Sequence, residues 1–190
     1  MSGEKIDRRR FLGRTGGGAA AMTALSYSRV LGANDRLGLG LVGAGDRGRY
    51  DMGLFQKDPS VDVVAVCDIY GRQIELAKQR APQAKSFRDH RALLDVKEVD
   101  LVLIGTPDHW HVPIAIDALN AGKDVYCEKP LTLTIEEGPA VVKAARINNR
   151  ICQVGMQQRS GTHYLQAKAE YFDSGKIGRA SCRERVSSVV

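Results

Sequence analysis

Apolar residues fall into short continuous runs along this chain, at 37–42, 61–67, 99–104, 124–127 and 151–154, rather than alternating with polar ones. Between them lie stretches of helical period. Residues 50–57, 73–80, 88–94, 109–120 and 135–147 place apolar side chains three and four apart, and Ala121-Gly122 stops the fourth. Continuous apolar strands alternating with helices predict a parallel sheet covered on both faces: an α/β fold, a doubly wound Rossmann sheet. Strand ends then gather at one edge, so Gly43, Asp68, Thr106 and Lys129 are expected to face one crevice. A further helix is expected over 163–172.

Charge changes this picture little. The 190 residues carry 28 Lys and Arg against 22 Asp and Glu, a net +6. Residues 1–36 hold seven basic and three acidic side chains, and residues 176–190 hold four and one, so the body between them has 17 against 18. A neutral body with 6% aromatic residues and no basic-aromatic stripe argues against nucleic acid as a partner. No apolar run reaches the roughly 18 residues of a membrane span. Cys67, Cys127, Cys152 and Cys182 stand far apart without a CxxC pair, which suggests neither a zinc ribbon nor a disulfide framework. The His109-x-His111 pair lacks a third ligand at sensible spacing, so no metal is expected.

The first strand runs directly into Gly43-Ala44-Gly45-Asp46-Arg47-Gly48. A GxGxxG turn between a strand and a helix has a mechanism: Gly43 permits the tight turn, Gly45 lets backbone approach a pyrophosphate, and Gly48 lets helix and strand pack closely. The helix N-terminus adds free N–H groups and a positive dipole end, and Asp46 and Arg47 of the turn join the three glycines as candidate cofactor-binding residues. Asp68 follows Gly48 by 20 residues, at the end of the second strand, where a carboxylate accepts from the hydroxyls of an adenosine ribose. It also repels a 2′-phosphate, so NAD is favoured over NADP, although Arg72 close by leaves NADP open.

Taken together, the glycine turn, Thr106-Pro107-Asp108-His109-Trp110-His111 and Glu128-Lys129-Pro130 resemble the glucose-fructose oxidoreductase, inositol dehydrogenase and MocA (Gfo/Idh/MocA) family, from about Leu37 to Gly178. The resemblance implies an NAD(P)-dependent oxidoreductase that moves hydride between a sugar or polyol carbon and nicotinamide. It implies a homo-oligomer at full length. By the same resemblance Lys129 stands beside the nicotinamide and the reacting hydroxyl. Thr106 and Pro107 touch the phosphate or ribose side, and Glu128 accepts from the nicotinamide ribose or amide unless it is held in an ion pair. His111 either joins Lys129 as a catalytic residue at the nicotinamide end or packs the start of its helix. Gln157 and Arg159 lie where such chains cross into a second α/β domain. Two other readings stay open: an NAD-dependent glycoside hydrolase of the same fold, which oxidises its sugar only transiently, and a dinucleotide-binding module without catalysis.

The two ends read differently from the body. Arg8-Arg9-Arg10-Phe11-Leu12 ahead of a mild Gly/Ala-rich stretch resembles a twin-arginine export signal, which predicts a periplasmic or otherwise exported protein. Residues 179–190 are densely basic without strand or helix period, and read as a non-native tail. The expected organisation is therefore a signal peptide at 1–33, a dinucleotide-binding domain at 34–154, the start of a truncated substrate domain at 155–178, and that tail. Such a fragment is expected to be inactive alone.

Overall fold

A computed structural model describes residues 36–176. The proposed export signal lies outside the described residues, as do Cys182 and the basic tail. Six strands form one parallel sheet in the order β3-β2-β1-β4-β5-β6. The strands are β1 (Leu37–Val42), β2 (Val61–Cys67), β3 (Lys85–Phe87), β4 (Leu101–Ile104), β5 (Asp124–Glu128) and β6 (Cys152–Gly155). Helices α1 (Asp46–Phe55), α2 (Gly71–Lys78), α3 (His90–Leu94), α4 (His111–Asn120) and α5 (Glu137–Ile147) separate successive strands.

Both faces of the sheet are covered, which is why its strands read as continuous apolar runs. Leu39, Leu41, Val66 and Leu103 pack on one side with Met52 of α1 and Ala77 of α2. Val42, Ala65, Val102, Ile104 and Val125 pack on the other with Leu93 of α3, Leu119 of α4 and Val141 of α5. Each fully buried Leu or Ile here contributes about 1.5–3 kcal/mol by leaving water. β1 carries glycine on its second face because α3 and the loop after it lie directly on the strand. A Cβ at Gly40 would stand 2.8 Å from Leu93 Cδ2, and one at Gly38 only 1.7 Å from the Glu98 carbonyl oxygen.

The element boundaries differ from the sequence expectations for identifiable reasons. α1 begins at Asp46 rather than Tyr50, so half of the glycine motif is itself helix. α4 begins at His111 after a single 3-10 turn at Asp108–Trp110, which leaves Pro113 in the first turn where its missing N–H costs nothing. α5 starts at Glu137, which likewise puts Pro139 in a first turn. The expected final helix is α6 (Thr162–Ala167) continued as a π-helical stretch over Lys168–Asp173, with no buried residue in either. β3 has no apolar signal: it is a three-residue edge strand that pairs Lys85 with Ala65 and Phe87 with Cys67.

β1 lies between β2 and β4, so the chain reverses its direction of travel across the sheet there. A parallel sheet opens a crevice at the carboxyl ends of the strands at that point. No helix of the described residues is long and apolar enough to cross a membrane.

Candidate dinucleotide-binding site

The crevice is a cleft of about 720 Å³ whose wall includes Gly43, Gly45, Asp68, Thr106, Pro107 and Trp110. Its size falls in the range typical of small-molecule sites. Three loops converge on it, from the ends of β1, β2 and β4, and backbone hydrogen bonds hold them together. Gly43 N–H donates to the Cys67 carbonyl at 2.9 Å, and Gly105 N–H to the Val42 carbonyl at 2.9 Å.

The three glycines of the motif differ in what surrounds them. Gly43 has φ +87°, and a Cβ there would stand 2.6 Å from Gly105 C and Thr106 N, so both its conformation and its surroundings require glycine. A Cβ at Gly48 would stand 2.0 Å from the Gly43 carbonyl oxygen, because the helix rests on the turn. At Gly45 a Cβ would meet no atom of the described residues within 4 Å. Gly45 also begins α1 without a side chain to cap it, so the first-turn N–H groups have no capping side chain. Exposed backbone and uncapped donors at a helix N-terminus form a cradle for an anion such as a pyrophosphate. Thr106 adds a buried hydroxyl, Oγ1, that has no hydrogen-bond partner among the described residues. These features fit a dinucleotide lying across the turn.

Asp68 is anchored to the loops it joins. Its Oδ2 accepts from Ala44 N–H at 2.8 Å and its Oδ1 from Tyr70 N–H at 2.8 Å. Each carboxylate oxygen retains a second lone pair for a ribose hydroxyl. Arg88, His90 and Arg91 also line the cleft, together with Ile69 and Tyr70. Sequence reasoning singled out none of the three basic residues, because β3, whose end positions them, left no pattern to read.

The remaining site candidates lie outside the cleft wall. Asp46 forms a salt bridge with Arg49 on the surface of α1. Lys129 is exposed just beyond β5, and its backbone N–H donates to Glu128 Oε2 at 3.2 Å. Glu128 itself is buried, and the alternative of an ion pair is the one the structure shows: Arg47 Nη2 lies 3.0 Å from Glu128 Oε1 and 2.8 Å from Asp51 Oδ1. Gln157 Nε2 donates to the same Glu128 oxygen. His111 is 1% exposed, with Nδ1 2.6 Å from the Pro130 carbonyl oxygen and Nε2 2.9 Å from that of Thr106. These two contacts tie the Glu-Lys-Pro loop to the Thr-Pro loop. The Lys129–Pro130 peptide is cis.

Burial governs the titration of the site's surroundings. It pushes the Asp51 carboxyl up to about 6; Glu128 adds to the rise, while Arg47 pulls the other way. Burial also pushes the Cys67 and Cys127 thiols up to about 12, so neither is a thiolate nucleophile near neutral pH. Among the described residues, no group of three or more His, Cys, Asp or Glu side chains is placed to hold a metal ion.

Comparison with known proteins agrees with this geometry. The family described as "Oxidoreductase family, NAD-binding Rossmann fold" (GFO_IDH_MocA) matches residues 37–156. Inositol 2-dehydrogenase of Salmonella typhimurium (strain LT2) is 36% identical over 145 residues, which are 75% of this chain and 42% of that protein. An alpha-N-acetylgalactosaminidase of Shewanella oneidensis is 32% identical over 125 residues, 61% of this chain and 27% of that protein. Among solved structures, the WlbA dehydrogenase of Bordetella pertussis in complex with NADH and UDP-GlcNAcA superposes with a TM-score of 0.70 at 26% identity, over 76% of this chain and 41% of that one. The chain thus spans less than half the length of the relatives it matches.

Proposed function

The chain belongs to the Gfo/Idh/MocA family of NAD-binding oxidoreductases, and on that premise we propose that it is the cofactor-binding part of an exported enzyme that transfers hydride between a sugar or polyol carbon and NAD. The observation that carries the reading is the cleft at the strand ends, where the open backbone of Gly45 faces the uncapped start of α1 and the Asp68 carboxylate closes the ribose end. The relatives named above include an inositol dehydrogenase and a sugar-nucleotide dehydrogenase, which supports a carbinol substrate.

In this mechanism the chain's residues bind and orient. The N–H groups at the start of α1 hold the pyrophosphate, and their dipole adds to the attraction. Asp68 accepts from the adenosine ribose hydroxyls and repels a 2′-phosphate, which favours NAD over NADP. Thr106 Oγ1 donates toward the ribose-phosphate side, and Pro107 keeps that bend rigid. Bound nicotinamide supplies the hydride acceptor. Lys129 would lie beside the substrate hydroxyl, where its side chain as the neutral amine would accept the hydroxyl proton as hydride leaves carbon. His111 serves this step at one remove, by holding the loop that carries Lys129.

A second reading is favoured by the galactosaminidase relative: glycosidic cleavage through transient oxidation, with no net change in the cofactor. The two are separated with the protein expressed from its complete coding sequence, incubated with NAD and either polyols or aryl glycosides. Net NADH from a polyol, abolished by Lys129→Ala, supports dehydrogenation. Release of the aryl group without NADH supports the second reading. NAD binding with neither reaction, unchanged in Lys129→Ala, supports a binding module.

We also propose that residues 1–33 direct export by the twin-arginine route, on the strength of Arg8, Arg9 and the mild apolar stretch that follows.

A further inference from the structure

Asp51 and Glu128 are both buried, 2% and 4% exposed, and they meet on a single guanidinium nitrogen of Arg47. One cation shared by two buried carboxylates leaves excess negative charge away from water, an arrangement that demands tight pairing. Among the described residues no donor is placed to bond Asp51 Oδ2. The surroundings are built around the cluster: a Cβ at Gly155 would stand 2.9 Å from both Glu128 Oε1 and Tyr126 Oη. Burial and Glu128 together push the Asp51 carboxyl up, and the charged or titratable groups facing it are Arg47 on its own helix and Glu128 and Tyr126 on β5.

The cluster joins three separate segments. Arg47 and Asp51 belong to α1, the helix that opens from the glycine turn. Glu128 ends β5 and accepts from the backbone N–H of Lys129. Gln157 begins the segment after β6. An arginine held by two buried carboxylates is not free to swing toward a ligand, and a glutamate occupied by Arg47, Gln157 and Lys129 N–H is not presented to one.

We propose that Arg47, Asp51 and Glu128 form a positioning unit that locks the Lys129 loop to the helix of the glycine turn, so that Glu128 acts on the nicotinamide end of a dinucleotide through Lys129 and not by touching it. The proposal rests on the cofactor reading above. It separates two halves of the ligand: the adenosine-pyrophosphate half depends on the glycine turn and Asp68, whereas the nicotinamide half depends on the unit.

The test uses the full 190-residue chain, with NADH and ADP-ribose titrated separately and amide hydrogen exchange followed at Lys129. In Arg47→Met, which loses the contacts to both carboxylates, and in Glu128→Gln, which loses the charge of one, NADH affinity is predicted to fall about tenfold or more and ADP-ribose affinity to stay within about twofold. Exchange at the Lys129 amide quickens by about tenfold or more on the same grounds, and Arg47→Lys restores both readouts toward wild type. If Arg47→Met does not fold, Glu128→Gln carries the test, because it keeps the shape while removing the charge and one of the two acceptor oxygens. Equal loss of both ligands, or unchanged NADH binding with unchanged Lys129 exchange in a folded variant, overturns the proposal. If the wild-type chain binds neither ligand, the cofactor reading fails instead. Exchange at Lys129 then decides alone: quickening in Glu128→Gln upholds the unit, and no change overturns it.

Discussion

Asp68 Oδ2 accepts from the backbone N–H of Ala44 at 2.8 Å, which fixes the carboxylate at the end of β2 to the middle of the glycine turn. One side chain therefore shapes the turn and presents the ribose acceptor. Asp68→Ala removes two backbone hydrogen bonds to a charged acceptor and is expected to cost about 2–4 kcal/mol of stability. It is also expected to weaken NADH binding by about tenfold or more while weakening NADPH binding less. Chemical denaturation and calorimetric titration with both cofactors check the two parts.

Gly45 and Gly48 make a contrasting pair. Gly48→Ala drives a Cβ to 2.0 Å from the Gly43 carbonyl oxygen and is expected to destabilise the fold by about 3 kcal/mol or more. Gly45→Ala meets open space and is expected to change stability by less than about 1 kcal/mol while lowering dinucleotide affinity. Denaturant midpoints and NADH titrations of the two variants, side by side, separate packing from ligand approach.

Stability is expected to carry a pH signature from Asp51. Its carboxyl is raised from 3.8 to about 6 in the folded chain, so the native state holds the proton more tightly than the unfolded state does. The contribution is therefore fully present below about pH 4 and is lost as pH rises through about 6. Asp51→Asn keeps the shape without the charge. Melting temperatures between pH 5 and pH 7.5 are expected to fall with pH in the wild type and to run flatter in the variant.

Export is tested in the cell. Arg8→Lys with Arg9→Lys is expected to hold the protein in the cytoplasm, read by fractionation of periplasm from cytoplasm. Unchanged export contradicts the signal.

The sheet was legible because β1, β2, β4 and β5 lie inside it beneath helices on both faces and so appear as apolar runs, because the edge strand β6 keeps Cys152 and Val154 partly buried, and because Gly43, Gly45 and Gly48 sit between a strand and a helix. β3 was not legible: Lys85 and Ser86 are exposed on the edge strand, and nothing in their chemistry marks a strand. The start of α1 was misplaced because the second half of the glycine motif, Asp46-Arg47-Gly48, which reads as loop, is already helical. The Asp51 cluster was hidden for another reason. Along the sequence Arg47 and Asp51 form an ordinary i,i+4 pair of the kind that covers helix surfaces, and only the position of β5 turns that pair inward onto Glu128. His111 was left open between two roles, and its partners in the fold, the Thr106 and Pro130 carbonyls, come from backbone positions that no side-chain pattern announces.

The most direct test of the central claim is a backbone NMR titration of the chain with NADH. Saturable shifts at Gly43, Gly45, Gly48, Asp68 and Thr106, lost in Gly45→Val while the rest of the spectrum stays folded, are the predicted result. No saturation at millimolar NADH, or shifts confined to residues away from these strand ends, would contradict the assignment of the cleft to a dinucleotide.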